Sequence, residues 1–432
     1  MATDWMPNKN DPGTIRGWAL FDWANSAYAL TIAVAIFPAY FEEVTDAVIT
    51  WGGRTWYNTT LFAMAVAGSY FLIALMSPFL SGIADYSGRK KVFLRFFTWV
   101  GATGCMALYF FPAAGGLFFG LGVFMLATIG FAGSLVFYNA YLPEIATPDH
   151  YNQVSARGFA YGYTGSVLLL MLNLAVILQP GWFSLPATDS TLPARLSFLS
   201  VGVWWIFFAQ LSLRRLPPDR PVRVGPGLMS KGWVELRSVW GKARRDSNLL
   251  YFLAAFFCYS AGVQTVLSLA SLFAKVEVGM DTAELIMVIL LLQFLGLAGA
   301  YLFARICDRI GNKQGMTWML GFWAALCVAG FFVQEKWQFY LLAAGVGLVM
   351  GGVQSQSRAT YAKLLPSHTK DTTSFFSFYD VLEKSATALG SFSFAFTGEL
   401  MGGMRPSVLA LALFFLLGMW FLRKVSVRTL PA

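Results

Sequence analysis

Histidine is almost missing from this chain: His150 and His368 are the only two in 432 residues. Neither falls in a long apolar run, so no histidine relay inside a membrane is expected. Cysteine is nearly as scarce. Cys105, Cys258, Cys307 and Cys327 lack the paired spacing of a metal site or a disulfide framework, and read as core residues. Charged residues make up only 12% of the chain. No His/Cys/Asp cluster, nucleophile motif or Gly-x-x-x-x-Gly-Lys-Ser/Thr loop appears. These gaps leave no support for an enzyme, a resident metal or a cofactor. The opening "MATDWMPNKNDPGTIRG" has no cleavable signal pattern, so the first apolar run is expected to stay as an anchor.

What is present is apolar surface: 57% of residues are hydrophobic and 17% aromatic, with mean hydropathy +0.59. A soluble globule does not have this composition. A spanning helix needs roughly 20 mainly apolar residues. Twelve such runs lie near 17–41, 60–82, 92–112, 116–141, 157–178, 195–216, 248–273, 284–306, 315–333, 337–361, 375–399 and 405–423, here counted as spans 1 to 12. Lipid offers no partner to an unpaired backbone, and the alternation of barrel strands is absent. The expectation is an all-α polytopic membrane protein.

With a cytoplasmic N-terminus, that side of the membrane collects 26 of the 31 Lys and Arg residues, and the other keeps only Arg54, Arg195, Lys275, Lys336 and Arg405. This bias places both termini in the cytoplasm, with a bacterial inner (plasma) membrane as the expected location and a monomer as the expected state. Topology then accounts for the net charge of +9, and no nucleic-acid partner is implied. The sequon Asn58-Thr59-Thr60 falls on the outer side, where one such triplet decides little.

An internal repeat organises the spans. "SGIADYSGRKK" (81–91) and "ARICDRIGNKQ" (304–314) align at an offset of 223, which also relates Tyr138, Leu142 and Pro143 to Tyr361, Leu365 and Pro366. Across 83–90 and 138–143 there are seven identities in fourteen positions, where chance gives about one. The expected architecture is two pseudo-symmetric six-helix bundles, 1–216 and 248–432, joined by a cytoplasmic linker over 217–247. Parallel repeats of this kind are a recurrent transporter plan. Within the linker, Trp233, Leu236 and Trp240 recur at helical spacing among Lys231, Arg237, Lys242, Arg244 and Arg245. That pattern reads as an amphipathic basic helix on the anionic leaflet, or as a solvated linker whose tryptophans touch the bundle.

These residues resemble the major facilitator superfamily, whose loop between spans 2 and 3 carries Gly-x-Leu-Ala-Asp-Arg-x-Gly-Arg-[Lys/Arg]. Ile83, Ala84, Asp85, Gly88, Arg89 and Lys90 fit, while Ser81 and Tyr86 depart from it. The second copy keeps Asp308, Arg309, Gly311 and Lys313 but has Ala304 and Asn312 at the Gly and Arg positions. Within the superfamily, "GWALFDWANSAYA" and "YNAYLPEIA" (138–146) are similar to the UMF1 group, relatives of fungal vacuolar effluxers of the Atg22 type. The resemblance implies a central cavity lined by spans 1, 2, 4, 5, 7, 8, 10 and 11, opening alternately to each side as the halves rock. For the fungal relatives it implies export of amino acids from a storage compartment. Independently, Gly88 permits a tight reversal and Asp85 can face a helix N-terminus. Asp85, Gly88, Arg89, Asp308, Arg309 and Gly311 are thus expected to be conformational latches rather than substrate ligands.

Ionisable groups inside spanning helices are costly and mark pathways, relays or paired locks. Trp18, Asp22, Asn25, Ser26 and Ala29 share one face of span 1, which points to the cavity or a neighbouring helix; the plain alternative pairs Asp22 with Arg16 or another basic residue near the cytoplasmic interface. Span 11 carries Asp380, Glu383 and Lys384, and Asp380 and Lys384, four apart, can neutralise each other. Arg157 stands 223 before Asp380, and Arg358 lies near Tyr361. The preferred reading is a cytoplasmic gate of Arg157 and Arg358 against Asp22, Asp380 and Glu383, with Asn25 and Lys384 beside it. Burial favours protonation of a carboxylate that has lost its cation, so proton coupling is left open; Glu144, at the loop surface, is a weaker carrier. Tyr28, Asn139, Tyr163, Gln264, Gln293 and Gln354 are the candidate cavity lining. Without clustered Arg or Lys, this lining suits a zwitterion, a polyol or an amphiphile headgroup rather than phosphate. Gly158, Gly162 and Gly165 in span 5 allow close approach of another helix, and the Gly-Pro signature of the superfamily's antiporters is absent.

The expected function is therefore secondary transport of a small organic solute, amino-acid-like or otherwise polar, with membrane lipids as surroundings. The alternatives are transport of a lipid or lysophospholipid and, in another class, a non-transporting receptor or scaffold.

Overall fold

The apolar runs fold as helices, since only a helix satisfies its own backbone within one segment in lipid. The structure is a computed structural model and describes residues 9–111, 116–186, 189–221, 228–366 and 369–426. His368 and the first eight residues lie outside the described residues. In chain order the helices are α1 Pro12–Val44, α2 Asn58–Ser87, α3 Lys90–Ala107, α4 Gly116–Asn139, α5 Tyr151–Leu178 and α6 Leu192–Arg215. The linker forms α7 Leu228–Arg245. There follow α8 Ser247–Glu277, α9 Thr282–Ile310, α10 Asn312–Phe331, α11 Lys336–Leu364, α12 Thr372–Met401 and α13 Met404–Arg423.

Eleven of these are long and apolar enough to cross a membrane. The remaining span, α12 (span 11), has the length, 30 residues, but Asp380, Glu383 and Lys384 interrupt its apolar run. Spans 1 to 6 are α1 to α6, and spans 7 to 12 are α8 to α13: a twelve-helix fold of two six-helix bundles. The bundles meet where α5 packs on α9 and α11, and where α12 packs on α2 and α4. An even number of spans puts both chain ends on one face, called here the terminal face; the other is the distal face.

Local chemistry sets the helix ends. Asp11 caps α1 by accepting from the Thr14 amide, 2.7 Å, with Pro12 in the first turn. Asp281 with Glu284 and Glu335 with Gln338 form capping boxes at α9 and α11. Inside α1, Tyr28–Ile36 runs as a π-helix. Pro38 follows it, and widening the turns makes room for a ring that otherwise meets a carbonyl one turn back.

Three features depart from the sequence reading. Residues 48–57 form a hairpin, β1 Val48–Trp51 antiparallel to β2 Arg54–Tyr57, turned by Gly52 and Gly53 at φ 61° and 74°. Asn58 of the sequon is buried and donates to Thr45 Oγ1, 3.0 Å, so its amide serves as a local brace. In α7 the expected Trp-Leu-Trp stripe is split: Leu236, Val239 and Ala243 are buried, while Trp233, Val234 and Trp240 are exposed. The small residue Gly232 sets this phase, because a Cβ on Gly82 of α2 would stand 2.4 Å from its carbonyl oxygen.

Candidate functional site

The side chain of Arg358 leaves α11 and enters the first bundle, where it is 2% exposed. Its Nε donates to Ser155 Oγ, 2.9 Å, and its Nη2 to the Ser155 carbonyl, 2.9 Å. Nη1 donates to Asn139 Oδ1 at 3.0 Å and lies 3.5 Å from Asp22 Oδ2. Tyr138 donates its hydroxyl to the same Asp22 oxygen, 2.8 Å. The guanidinium also faces the rings of Phe159, Trp18 and Tyr138, at 4.4, 4.7 and 5.5 Å. The glycines of α5 make this approach possible: a Cβ on Gly158 would lie 2.8 Å from Arg358 Nη2 and 2.9 Å from Asp22 Oδ2. Gly162 and Gly165 meet Ser26 and Trp23 of α1 in the same way, so the neighbour that the glycine stripe admits is α1.

The repeated motif supplies a second set of crossings on the same face. Asp85 lies in the last turn of α2 rather than in a loop, and Gly88 ends that helix at φ 66°. The Asp85 carboxylate accepts from the backbone amides of Thr373 and Ser374, 3.2 and 2.6 Å, at the N-terminus of α12, where the helix dipole favours an anion. Its repeat mate Asp308, in the last turn of α9 before Gly311, accepts from Asn152 and Gln153 of α5, 2.8 and 2.6 Å. Each bundle thus grips the start of one helix of the other. Lys90 adds an ion pair to Glu144 and a bond to Thr372 Oγ1 across the interface, 2.6 Å. Arg89 and Arg309, expected in the latches, are instead exposed; the helix ends turn them outward, and Lys90 takes the inward position. Asp219 of the linker accepts from the Lys91 and Val92 amides, 2.6 and 3.1 Å, and burial pushes its carboxyl above the usual range.

Deeper in the membrane, Tyr163 donates to Gln354 Oε1 across the bundles, 2.9 Å, and Ser155 donates to the Ser355 carbonyl, 2.6 Å. On α12, Lys384 pairs with Asp380 and lies 5.8 Å from the ring of Tyr70 in α2. Gln264 donates to Glu383, 2.9 Å. The crossing hydrogen bonds named here all sit in the terminal-side part of their helices. The distal ion pairs behave differently: Arg195 with Asp189, Lys336 with Glu284 and Arg405 with Glu277 each join residues of one bundle.

Several expected members do not meet. Arg157 is half-buried and makes no ion pair among the described residues. It shares an outward stripe with the exposed Thr164 and Leu168, one position out of phase with Gly158. Repeat symmetry relates it to Asp380 without bringing the two together. Asp380 and Glu383 take partners from their own bundle, and Asp22 takes Arg358 rather than Arg16. Tyr28 is not in a cavity; it is 1% exposed and its hydroxyl bonds Thr128 of α4, 2.7 Å. Asn25 is fully buried, with both side-chain polar atoms lacking a partner among the described residues. Gln293 is half-buried on α9. The sequence reading missed Tyr138, Ser155 and Phe159. Tyr138 carried a signal, since it is one of the positions the repeat preserves.

A family model described as vacuole effluxer Atg22 like matches residues 10–429. The MFS-type transporter YxiO of Bacillus subtilis is 29% identical over 412 residues, covering 95% of this chain and 94% of that one. Autophagy-related protein 22-1 of Penicillium rubens is 24% identical over 468 residues, covering 87% and 77%. Among solved structures, the major facilitator transporter FucP in its outward conformation gives a TM-score of 0.74 at 14% identity, covering 96% and 99%. The human organic anion transporter MFSD10 gives 0.69 at 15%, covering 96% and 100%. At such identities the two structures speak for a common fold.

Proposed function

Because the chain belongs to the vacuole effluxer Atg22-like family and is a membrane transporter of the major facilitator type, we propose that it moves a small zwitterionic or polar organic solute by alternating access. The two bundles rock as units about the 217–247 linker. The observation that carries this reading is the asymmetry of the two faces. Side chains pass from bundle to bundle at the terminal face, whereas the distal ion pairs stay within a bundle. Contacts made in one state and released in the other are what a two-state carrier needs. The terminal face is assigned to the cytoplasm on the 26-to-5 distribution of Lys and Arg, in a bacterial inner membrane, so the state described here opens away from it. The solute class rests on the phenol and amide groups of Tyr163, Gln264, Gln293 and Gln354, beside which no cluster of arginines set to take phosphate lies among the described residues. Reconstitution into vesicles with uptake measured over amino acids, polyols and lysophospholipids tests the proposal. Uptake of an amino-acid-like solute is expected, and saturable uptake of lysophospholipids alone would replace the solute class. An imposed pH gradient tests whether protons are coupled: rates that follow the gradient support it.

A further inference from the structure

Arg358 occupies a box, and everything else in the box belongs to the other bundle. Trp18 and Asp22 come from α1, Tyr138 and Asn139 from α4, and Ser155 and Phe159 from α5. The box is held together without Arg358: Trp18 Nε1 donates to the Tyr138 carbonyl, 3.0 Å. The two rings stack at 4.6 Å, and Tyr138 fixes the Asp22 carboxylate at 2.8 Å. When the bundles part at the terminal face, Arg358 leaves with α11 and the box stays. Two aromatic faces, of Phe159 and Trp18, beside a carboxylate are a recognition site for an organic cation. The polar groups refine the class. Asn139 Oδ1, Ser155 Oγ and the Ser155 carbonyl each accept an N–H of the guanidinium. A cation carrying several N–H groups recovers those bonds, and a quaternary ammonium does not.

We propose that this box binds the guanidinium end of the transported solute, with Arg358 as a tethered occupant that the solute replaces. This rests on the alternating-access reading and narrows its solute class to molecules with a guanidinium end. An emptied box leaves Asp22 buried without a counter-ion, which is costly. A ligand that restores the charge favours the terminal-open state, so its binding is coupled to the transition.

The test is binding of radiolabelled arginine to the full-length protein in nanodiscs, with citrulline, its neutral urea counterpart, as competitor. Two proteins are compared with wild type: Arg358→Ala, which empties the box, and Asp85→Asn/Asp308→Asn, which loosens the latches and leaves the box intact. Both are expected to bind arginine more tightly than wild type and to gain several degrees in unfolding midpoint with arginine present. Citrulline should compete at least about tenfold less well, and choline should fall between the two. Adding Asp22→Asn to Arg358→Ala should abolish the binding. Folded proteins that fail to bind arginine, that bind citrulline equally, or that ignore Asp22→Asn overturn the proposal. Vesicle uptake of some other solute would then leave the transporter reading standing. Arginine binding in a protein that transports nothing would support the box and overturn that reading instead.

Discussion

At the residue scale, Arg358 is a charge that one bundle lends to the other. Removing it strands Asp22 in a buried pocket, and breaking a buried pair in this way costs about 3–5 kcal/mol. Arg358→Ala should therefore move the balance toward the terminal-open state by at least a hundredfold, taking the lower figure at about 1.4 kcal/mol per tenfold. Distance distributions between spin labels on the two bundles would show it as a second population. Lysine keeps the charge but not the planar fork, so Arg358→Lys should give an intermediate distribution. Gly158→Ala should act in the same direction by about 1–3 kcal/mol, since its methyl group lands on both partners. Arg157→Gln, by contrast, should leave the distribution within about 0.5 kcal/mol of wild type. A large shift there would contradict the outward phase assigned to it.

At the scale of elements, the proposed latches are carboxylates on helix starts. Asp85→Asn keeps the shape but removes the charge at the α12 N-terminus, a loss of about 1 kcal/mol. Asp308→Asn should cost only a few tenths, because Asp308 is exposed and meets side chains rather than a row of amides. Thiol accessibility at single cysteines on the terminal face separates the two: Asp85→Asn should raise labelling rates more, and the reverse order would count against the capping geometry. Much of this level was legible in the sequence. Apolar length gave the spans, the offset of 223 gave the two bundles, and Asp85 with Gly88 marked a helix end. Helical phase between elements was not legible. Asp22 and Trp18 could be placed on one face, but that Arg358 rather than Arg157 reaches them depends on which residue of α5 is a glycine at the crossing. Nor could Trp233 be told from Leu236 in α7, because both suit an apolar face, and the choice follows from where Gly232 sits on Gly82. The hairpin at 48–57 was hidden by its shortness, although Gly52-Gly53 was its signal.

At the scale of the whole molecule, the crossings act together and can be held together. Asn152 and Asn312 exchange side-chain hydrogen bonds at 3.0 and 2.8 Å. Cysteines at these two positions, in a background without the four native ones, should be joined by a short bifunctional thiol reagent. Solute uptake should then fall to background and return on cleaving the linker. Cross-linked protein that transports at the uncross-linked rate would show that the face does not open during the cycle.

The two motif aspartates also carry a consequence for how such a molecule can be tuned. A parallel duplication copies each contact onto the side of the membrane where the original stood. Asp85 and Asp308 are therefore two clasps on a single side, and the distal ion pairs found among the described residues are not their mirror image. On the alternating-access proposal, both clasps favour one resting posture, and substitutions that weaken either push the molecule the same way. The pace of such a cycle is then adjustable in small steps, one clasp at a time, without rebuilding the opposite mouth.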